Sequence, residues 1–154
     1  MKKRDLSLIA LFMLIGTIFG CSANKGEFDD KNIIFNVIKT ETATENKFYK
    51  IEISNETGFD LTHLTFNLSY PIKTSNGSKS NPYVVEGKTD DIRPINLKSG
   101  EPITFSIYTP IQEVFANSNL LDFENPDIEL EGYFKEGQEE IQFGIYGGLS
   151  VLVN

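Results

Sequence analysis

A row of five carboxylates near the C-terminal end is the first set of residues whose type and spacing could support chemistry. These residues are Asp122, Glu124, Asp127, Glu129 and Glu131. Carboxylate oxygens at such spacing can coordinate Ca²⁺, although the sequence does not match an EF-hand loop. Glu129 and Glu131 also alternate with apolar residues, as on the solvated face of a β-strand. We expect no metal and no cofactor here, and calcium binding is the alternative.

A single histidine, His63, is the residue that a Ser-His-Asp triad would have to use. The chain contains no Gly-x-Ser-x-Gly nucleophile elbow. One histidine also falls short of the several ligands that a histidine-based zinc site needs. Paired carboxylates are typical of glycoside hydrolases, but this short chain has no tryptophan and no evident cleft-forming loops. We therefore expect no catalytic residue and a protein that is not an enzyme.

Three tyrosines fall in the polar phase of alternating segments, and we consider them a candidate binding surface. They are Tyr108, Tyr133 and Tyr146. Tyrosine is enriched among the residues that dominate binding interfaces. Tyrosines in such positions also pack under loops, so this second interpretation stays open.

The N-terminus has the layout of an export signal. Positive charges at residues 2–4 precede an uncharged, mostly apolar run from Leu8 to Phe19, and Gly20 stands before Cys21. Twelve residues as a helix span about 18 Å, which is less than the hydrocarbon core of about 30 Å. A cleaved signal is therefore favoured over a permanent transmembrane span.

Ile18-Phe19-Gly20-Cys21 resembles the lipobox of bacterial lipoproteins. The resemblance covers residues 1–21. It implies that the Cys21 thiol receives a diacylglycerol and that a peptidase then cuts before this residue. Cys21 is also the only cysteine, so it has no partner for an intramolecular disulfide. An ordinary cleaved signal with a chance cysteine and an uncleaved anchor are the alternatives.

The charge distribution limits the partners of the remaining chain. The first 20 residues carry +2 within a total of −8, so the rest carries −10. Nucleic-acid binding depends on Lys and Arg that neutralise phosphates, so we expect no nucleic-acid partner. Acyl chains contribute about 0.8 kcal/mol per buried methylene and can hold such an acidic domain on a membrane. We expect a lipid-anchored protein on the extracytoplasmic face of the cell membrane.

The remainder of the sequence predicts an all-β fold. Residues 1–20 are interpreted as the signal peptide, residues 21–31 as the lipidated cysteine with a flexible tether, and residues 32–154 as one domain. The clearest strand alternates Leu64, Phe66 and Leu68 with polar residues. We expect a loop over residues 73–82 and one or two helical turns around 111–115. The predicted strands cover residues 33–38, 48–53, 64–70, 83–85, 103–108, 128–135, 141–145 and 149–153.

Seven or eight short strands separated by turns favour two antiparallel sheets packed face to face. This layout resembles an immunoglobulin-like sandwich. A lipobox, a short tether and such a domain together resemble small lipoproteins of Gram-positive bacteria, a group with no common activity. We therefore expect a non-enzymatic binding or accessory module of the cell envelope, whose partner is an envelope protein or a wall component. The alternative is a ligand-binding lipoprotein for calcium or a small solute.

Overall fold

The computed structural model describes residues 26–116 and 118–153. Within them, a 3₁₀ turn at Asp30–Asn32 is followed by nine strands and two short helices. The order is β1 (Ile33–Thr42), β2 (Lys47–Asn55), β3 (Leu61–Ser69), β4 (Ile72–Thr74), β5 (Gly77–Lys79), β6 (Val84–Glu86), β7 (Pro102–Thr109), α1 (Ile111–Phe115), β8 (Asp127–Glu136), β9 (Glu139–Gly148) and α2 (Leu149–Leu152).

Seven of these strands form the two sheets of a sandwich. One sheet has the order β1-β2-β7 and the other has the order β6-β3-β8-β9, with antiparallel neighbours throughout. The strands β4 and β5 form a separate hairpin. Counted along the sandwich, the first, second and fifth strands share one sheet and the third, sixth and seventh share the other, as in an immunoglobulin-like sandwich. The fourth strand, β6, pairs with β3 in the second sheet, whereas the constant-type immunoglobulin domain places its fourth strand in the first sheet. The predicted antiparallel β-sandwich is confirmed.

The core follows from the alternation of apolar residues in both sheets. Ile51, Phe66, Phe105 and Leu130 are fully buried, one on each of four different strands. The rings of Phe66 and Phe105 lie 5.2 Å apart between their centroids, across the space between the sheets. Inward residues of the two sheets therefore meet in one continuous core, while their sequence neighbours point to the two outer faces.

The N-terminal end of the described chain is packed against the sandwich. The ring of Phe28 stacks on Phe134 with centroids 3.9 Å apart and also contacts Phe59 edge-on. Phe134 belongs to the C-terminal half of β8. The packed body therefore includes Phe28, which the predicted boundary at residue 32 assigned to the tether.

The opposite end of the sandwich contains a buried polar cluster. The Lys47 side chain is 6% exposed, and its ammonium donates to the Phe123 carbonyl at 2.8 Å and to Glu124 at 2.7 Å. Burial raises the pKa of Tyr49 and of Tyr70, whose hydroxyls lie close to each other. These groups are held beneath the loop that leads into β8.

Two segments differ from their predicted structure. The segment 73–82 was expected to be a loop, but it contains most of the β4–β5 hairpin. Thr74 lies opposite Gly77, residues 75–76 form the two-residue turn, and Gly77 adopts a positive φ of 129° directly after it. Residues 149–153 were expected to form a strand, but Leu149–Leu152 is a helical turn. Leu149 is buried there, and Val153 bridges to Phe35 of β1, so this turn closes one open side of the sandwich. The helical turns predicted around 111–115 are confirmed as α1.

Candidate functional site

The outer face of the β6-β3-β8-β9 sheet carries most of the polar residues that the sequence singled out. On β8, Ile128 and Leu130 point into the core, whereas Asp127, Glu129 and Glu131 alternate with them and point outward. The strand was predicted to have this solvated acidic face. A fixed sheet therefore positions these carboxylates at intervals of about 7 Å.

Strand register aligns the outward residues in two rows across three strands. In the first row, Asn67 of β3 lies opposite Glu129 of β8, which lies opposite Tyr146 of β9. In the second row, Ser69 lies opposite Asp127, which lies opposite Gly148. Directly opposite residues have Cβ atoms about 5 Å apart, so the side chains of each row are in mutual reach.

These two rows form the floor of a groove of about 440 Å³. Residues 80–82, which follow the β4–β5 hairpin, form one wall, and the Ser80 side chain lies within hydrogen-bonding reach of Tyr146. Asn81 holds this wall in place, because its amide donates to the Tyr70 carbonyl at 3.0 Å and accepts from the Tyr83 backbone at 3.1 Å. The hairpin that sequence reasoning missed therefore leads directly into one wall of the groove.

Tyr146 and Asp127 are connected inside the groove. The Tyr146 hydroxyl donates to Asp127 Oδ2 at 2.7 Å. This hydrogen bond, together with partial burial, raises the pKa of Tyr146, so its hydroxyl stays a neutral donor at physiological pH. The other carboxylate oxygen of Asp127 accepts no hydrogen bond within the described residues.

The acidic groups of the groove have no balancing cation in the described part of the chain. Neither Asp127 nor Glu129 takes part in an ion pair among residues 26–116 and 118–153. No Lys or Arg of those residues lines the groove. The groove therefore carries two uncompensated negative charges on a rigid floor, an arrangement suited to binding a cation.

The structure does not gather the five carboxylates into one calcium site. Asp122 accepts from the Asn125 amide, and this hydrogen bond is the main reason that its pKa is lowered. Glu124 pairs with Lys47 at the end of the sandwich. Among the residues that the structure describes, no group of three or more His, Cys, Asp or Glu side chains is arranged to hold a metal ion.

The three tyrosines do not form one surface. Tyr133 and Tyr146 share the outer face of the four-stranded sheet. Gln142, which lies opposite Tyr133, is four residues from Tyr146 along β9, a separation of about 14 Å. Tyr108 belongs to β7 in the other sheet, where it borders an exposed cavity of about 460 Å³ with Tyr83 and Val114. Only Tyr146 lines the acidic groove.

His63 lies on the outer side of a β-bulge in β3. The register between β3 and β8 shifts between Thr62 and Thr65, and His63 has a positive φ of 55°. Its ring is exposed and contacts Tyr133 edge-on, with centroids 6.0 Å apart. Its backbone N–H donates to Asn96. His63 is therefore held by its backbone hydrogen bond to Asn96 and by the ring contact with Tyr133.

The groove includes residues that sequence reasoning did not select. Asn67 and Ser69 were expected on the polar face of β3, but nothing in the sequence indicated which carboxylates would lie opposite them. Cys21 and residues 1–20 lie outside the described residues. None of the helices within residues 26–116 and 118–153 is long and apolar enough to cross a bilayer.

Fold and groove together define an immunoglobulin-like β-sandwich that presents an acidic groove on the outer face of one sheet. No protein-family model matches the chain, and no curated protein matches it. The function is therefore inferred from the residues of this chain alone.

Proposed function

We propose that this protein is a non-enzymatic binding module of the cell envelope, attached to the extracytoplasmic face of the membrane by lipid on Cys21. The observation that carries the binding role is the groove formed by Asn67, Ser69, Asp127, Glu129 and Tyr146, with its uncompensated carboxylates. The partner is an envelope protein or a wall component that presents a positively charged group. A small cationic solute is the alternative ligand for the same groove.

The proposed anchor is supported by the lipobox-like sequence that ends in the only cysteine. Phe28, which is docked on Phe134, is seven positions after Cys21, and these seven steps span at most about 25 Å. Phe134 and Asp127 are seven residues apart on β8, or about 23 Å along the strand. The groove therefore lies far from the end of the sandwich that the tether enters, where a partner can reach it.

We propose that the protein is not an enzyme because of where His63 lies and which side chains line the groove. His63, the single histidine, is exposed on the side of the sheet that carries Tyr133. The groove itself contains carboxylates, an amide, hydroxyls and a phenol held in a hydrogen bond with Asp127. Such groups recognise a ligand through charge and hydrogen bonds without an activated nucleophile.

The anchor is tested by Cys21→Ser in the native host, with Ser22→Ala as the matched control. We expect Cys21→Ser to lose labelling by a clickable fatty acid and to leave the detergent phase of a membrane fractionation. The control should retain both properties. Unchanged lipid labelling in Cys21→Ser would refute the anchor.

The binding role is tested by site-specific photo-crosslinking in intact cells. A photoreactive amino acid at Asn67 sits in the groove, whereas one at Lys50 sits on the exposed face of the opposite sheet. We expect a discrete adduct from position 67 and none from position 50. Equal crosslinking from both positions, or no adduct from position 67, would contradict a partner-binding groove.

A further inference from the structure

We propose that the cleft between β6 and β7 binds an extended segment of another protein, which adds as a strand to the free edge of β6. This β6–β7 cleft is the exposed cavity of about 460 Å³ that Tyr83, Tyr108 and Val114 border. Val84 is the one lining residue that it shares with the acidic groove. The proposal therefore goes beyond the acidic groove and does not depend on it.

The cleft begins where the segment after β6 is fixed to β7 by an antiparallel bridge. Lys88 N–H donates to the Ser106 carbonyl at 2.9 Å, and Ser106 N–H donates to the Lys88 carbonyl at 2.7 Å. The preceding Gly87 N–H donates to the Phe66 carbonyl at 2.7 Å, and a Cβ at Gly87 would lie only 3.0 Å from Phe66 Cδ1. Beyond this bridge β6 and β7 belong to different sheets, so the two strands part from a fixed point.

The strand register shows which backbone groups of β6 face the cleft. In an antiparallel strand, the N–H and C=O of one residue point to the same side, and successive residues alternate sides. Gly87 bonds toward β3, whereas Lys88 bonds toward β7. Val84 and Glu86 share the phase of Lys88, so their N–H and C=O groups also point away from β3. The hydrogen bonds of the described residues include no partner for these groups.

A free strand edge is a template for another strand, and the other edges of this sandwich are guarded against pairing. The edge strand β1 carries Lys39 and Glu41, and the edge strand β9 begins with Glu139 and Glu140. Charged side chains on an edge strand discourage pairing with a second chain. The β6 edge differs, because apolar side chains lie beside its unpaired backbone groups. An added strand can satisfy those groups, as in peptide recognition by β-strand addition.

The side chains around this edge suit an extended segment with alternating apolar residues. Tyr83, Val84, Tyr108 and Val114 line the cleft and are between 41% and 58% exposed. Tyr108 also shares the phase of Ser106, so its backbone groups face the cleft. Successive side chains of a strand point to opposite faces. A segment whose apolar side chains face the cleft would cover these residues and leave its polar side chains in water.

Charge specifies the partner further. Glu86 is paired with Arg93, whereas Lys88 takes part in no ion pair among the described residues. Glu86 and Lys88 are the charged residues that line the cleft, so with Arg93 included the cleft carries +1. The chain after residue 20 carries −10, and two copies of it repel each other. We therefore assign the cleft to a different protein, whose segment places an acidic side chain near Lys88.

The proposal is tested on the full ¹⁵N-labelled chain in detergent micelles, by NMR titration and amide hydrogen exchange. The probe is a synthetic heptapeptide amide in which three Val alternate with Thr and Glu stands at the end. We expect saturable binding and, at ten times the Kd, about tenfold slower exchange of the Val84 and Glu86 amides. No saturable binding at millimolar peptide, or binding without this protection, would overturn the proposal. Protection before peptide is added would also overturn it, and protection that grows with protein concentration would identify a second copy as the occupant.

Two control peptides separate strand pairing from simple apolar contact. One carries N-methyl groups on its Val amides and the other on its Thr amides, so each lacks the N–H donors of one side of the strand. The side chains and the net charge stay the same. We expect at least one of them to bind about tenfold more weakly, because the hydrogen bonds to the β6 edge are lost. Unchanged binding of both peptides would mean that no strand is added.

Matched variants locate the site. Val84→Pro removes an N–H that faces the cleft, and proline is tolerated on an edge strand at such a position; an unchanged melting temperature verifies the fold. We expect this variant to bind the probe about fivefold more weakly, and unchanged affinity would refute pairing at β6. Lys88→Gln should weaken binding about twofold, whereas Lys98→Gln removes the same charge from an exposed position outside the cleft and should have no effect. Equal losses in these two lysine variants would refute the assigned contact with Lys88.

Discussion

Replacing Gly132 with alanine is expected to destabilise the sandwich, because this glycine of β8 faces the bulge of β3 with no room for a Cβ. A Cβ at residue 132 would lie 2.7 Å from Leu64 Cδ2, 3.0 Å from the Thr62 carbonyl oxygen and 3.3 Å from Phe143 Cε1. The Leu64 methyl group can move, but the carbonyl belongs to the backbone of the β3 bulge. Overpacking of this kind costs about 1–3 kcal/mol, and we expect about 2 kcal/mol here.

Gly144 provides a matched control in the next strand. It lies on β9 opposite Glu131, and a Cβ at this position would meet no atom within 4 Å. Its φ lies outside the left-handed region, so alanine adopts the native backbone without strain. Gly144→Ala is expected to be neutral or to stabilise by about 0.4–1 kcal/mol, through the lower entropy of the unfolded chain.

Urea unfolding followed by far-ultraviolet circular dichroism measures both effects. With an m-value of about 1.5 kcal/mol/M, a loss of about 2 kcal/mol moves the midpoint of Gly132→Ala down by about 1.3 M. The midpoint of Gly144→Ala should stay at or above that of the parent protein. If both variants shift equally, or if Gly132→Ala unfolds at the parent midpoint, the close approach between β3 and β8 is not as described.

Three further outcomes follow from groups that are buried or packed against the core. Lys47→Ala should lower the free energy of unfolding by about 2–3 kcal/mol in urea, because it removes a buried stem and leaves a carbonyl without its donor. Glu124→Ala should cost less, since that carboxylate is 81% exposed and solvated; the reverse order would contradict this reasoning. Phe28→Ala should lower the melting temperature without changing lipid labelling in the host, and an unchanged melting temperature would mean that the stacking on the sandwich contributes nothing. Burial raises the pKa of Tyr49 and Tyr70 above 10.0, so the stability they contribute is present below pH 10 and is lost as the pH rises through the raised pKa values. Tyrosinate absorbance should show that these two tyrosines ionise only together with unfolding. If all six tyrosines titrate as one class, this prediction is refuted.

The sandwich could be predicted because its strands alternate so regularly. Leu64, Phe66 and Leu68 occur at every second position of β3, and all three are buried. The β8–β9 hairpin was equally readable, since Gly137 falls in a turn between two alternating segments and adopts a positive φ of 65°. Local pattern and tertiary burial agree in these segments, so the sequence alone was sufficient.

The prediction was wrong where tertiary contacts outweigh local composition. Polar composition in residues 73–82 favoured a loop, although Asn76-Gly77 is also a strong hairpin signal. The apolar residues from Leu149 to Val153 favoured a strand. In the structure, this segment packs beside the edge strand β1. A helical turn buries Leu149 and still brings Val153 to Phe35. Burial against the sandwich therefore decided the conformation.

The groove could be predicted only in part, because it is assembled by register. Asp127, Glu129 and Tyr146 were selected from their own strands, but the sequence does not state that β3 places Ser69 opposite Asp127. Tyr108 also shows that a single strand does not reveal its neighbours in the sheet. Its phase in β7 was read as exposed and it is exposed, yet the strand order assigns it to the opposite sheet.

The acidic character of the domain and the proposed lipid anchor support each other on physical grounds. An anionic bilayer repels a domain of this charge within a Debye length of about 8 Å at physiological ionic strength, so charge cannot supply the attachment and acyl chains can. The groove lies about 23 Å along β8 from the position of Phe134, on which Phe28 docks. At that distance the surface potential of the bilayer is screened, so the proposed attraction of a cationic ligand depends on the carboxylates of the groove itself. The proposed anchor at one end and the proposed recognition site at the other are thus separated by the length of a single strand.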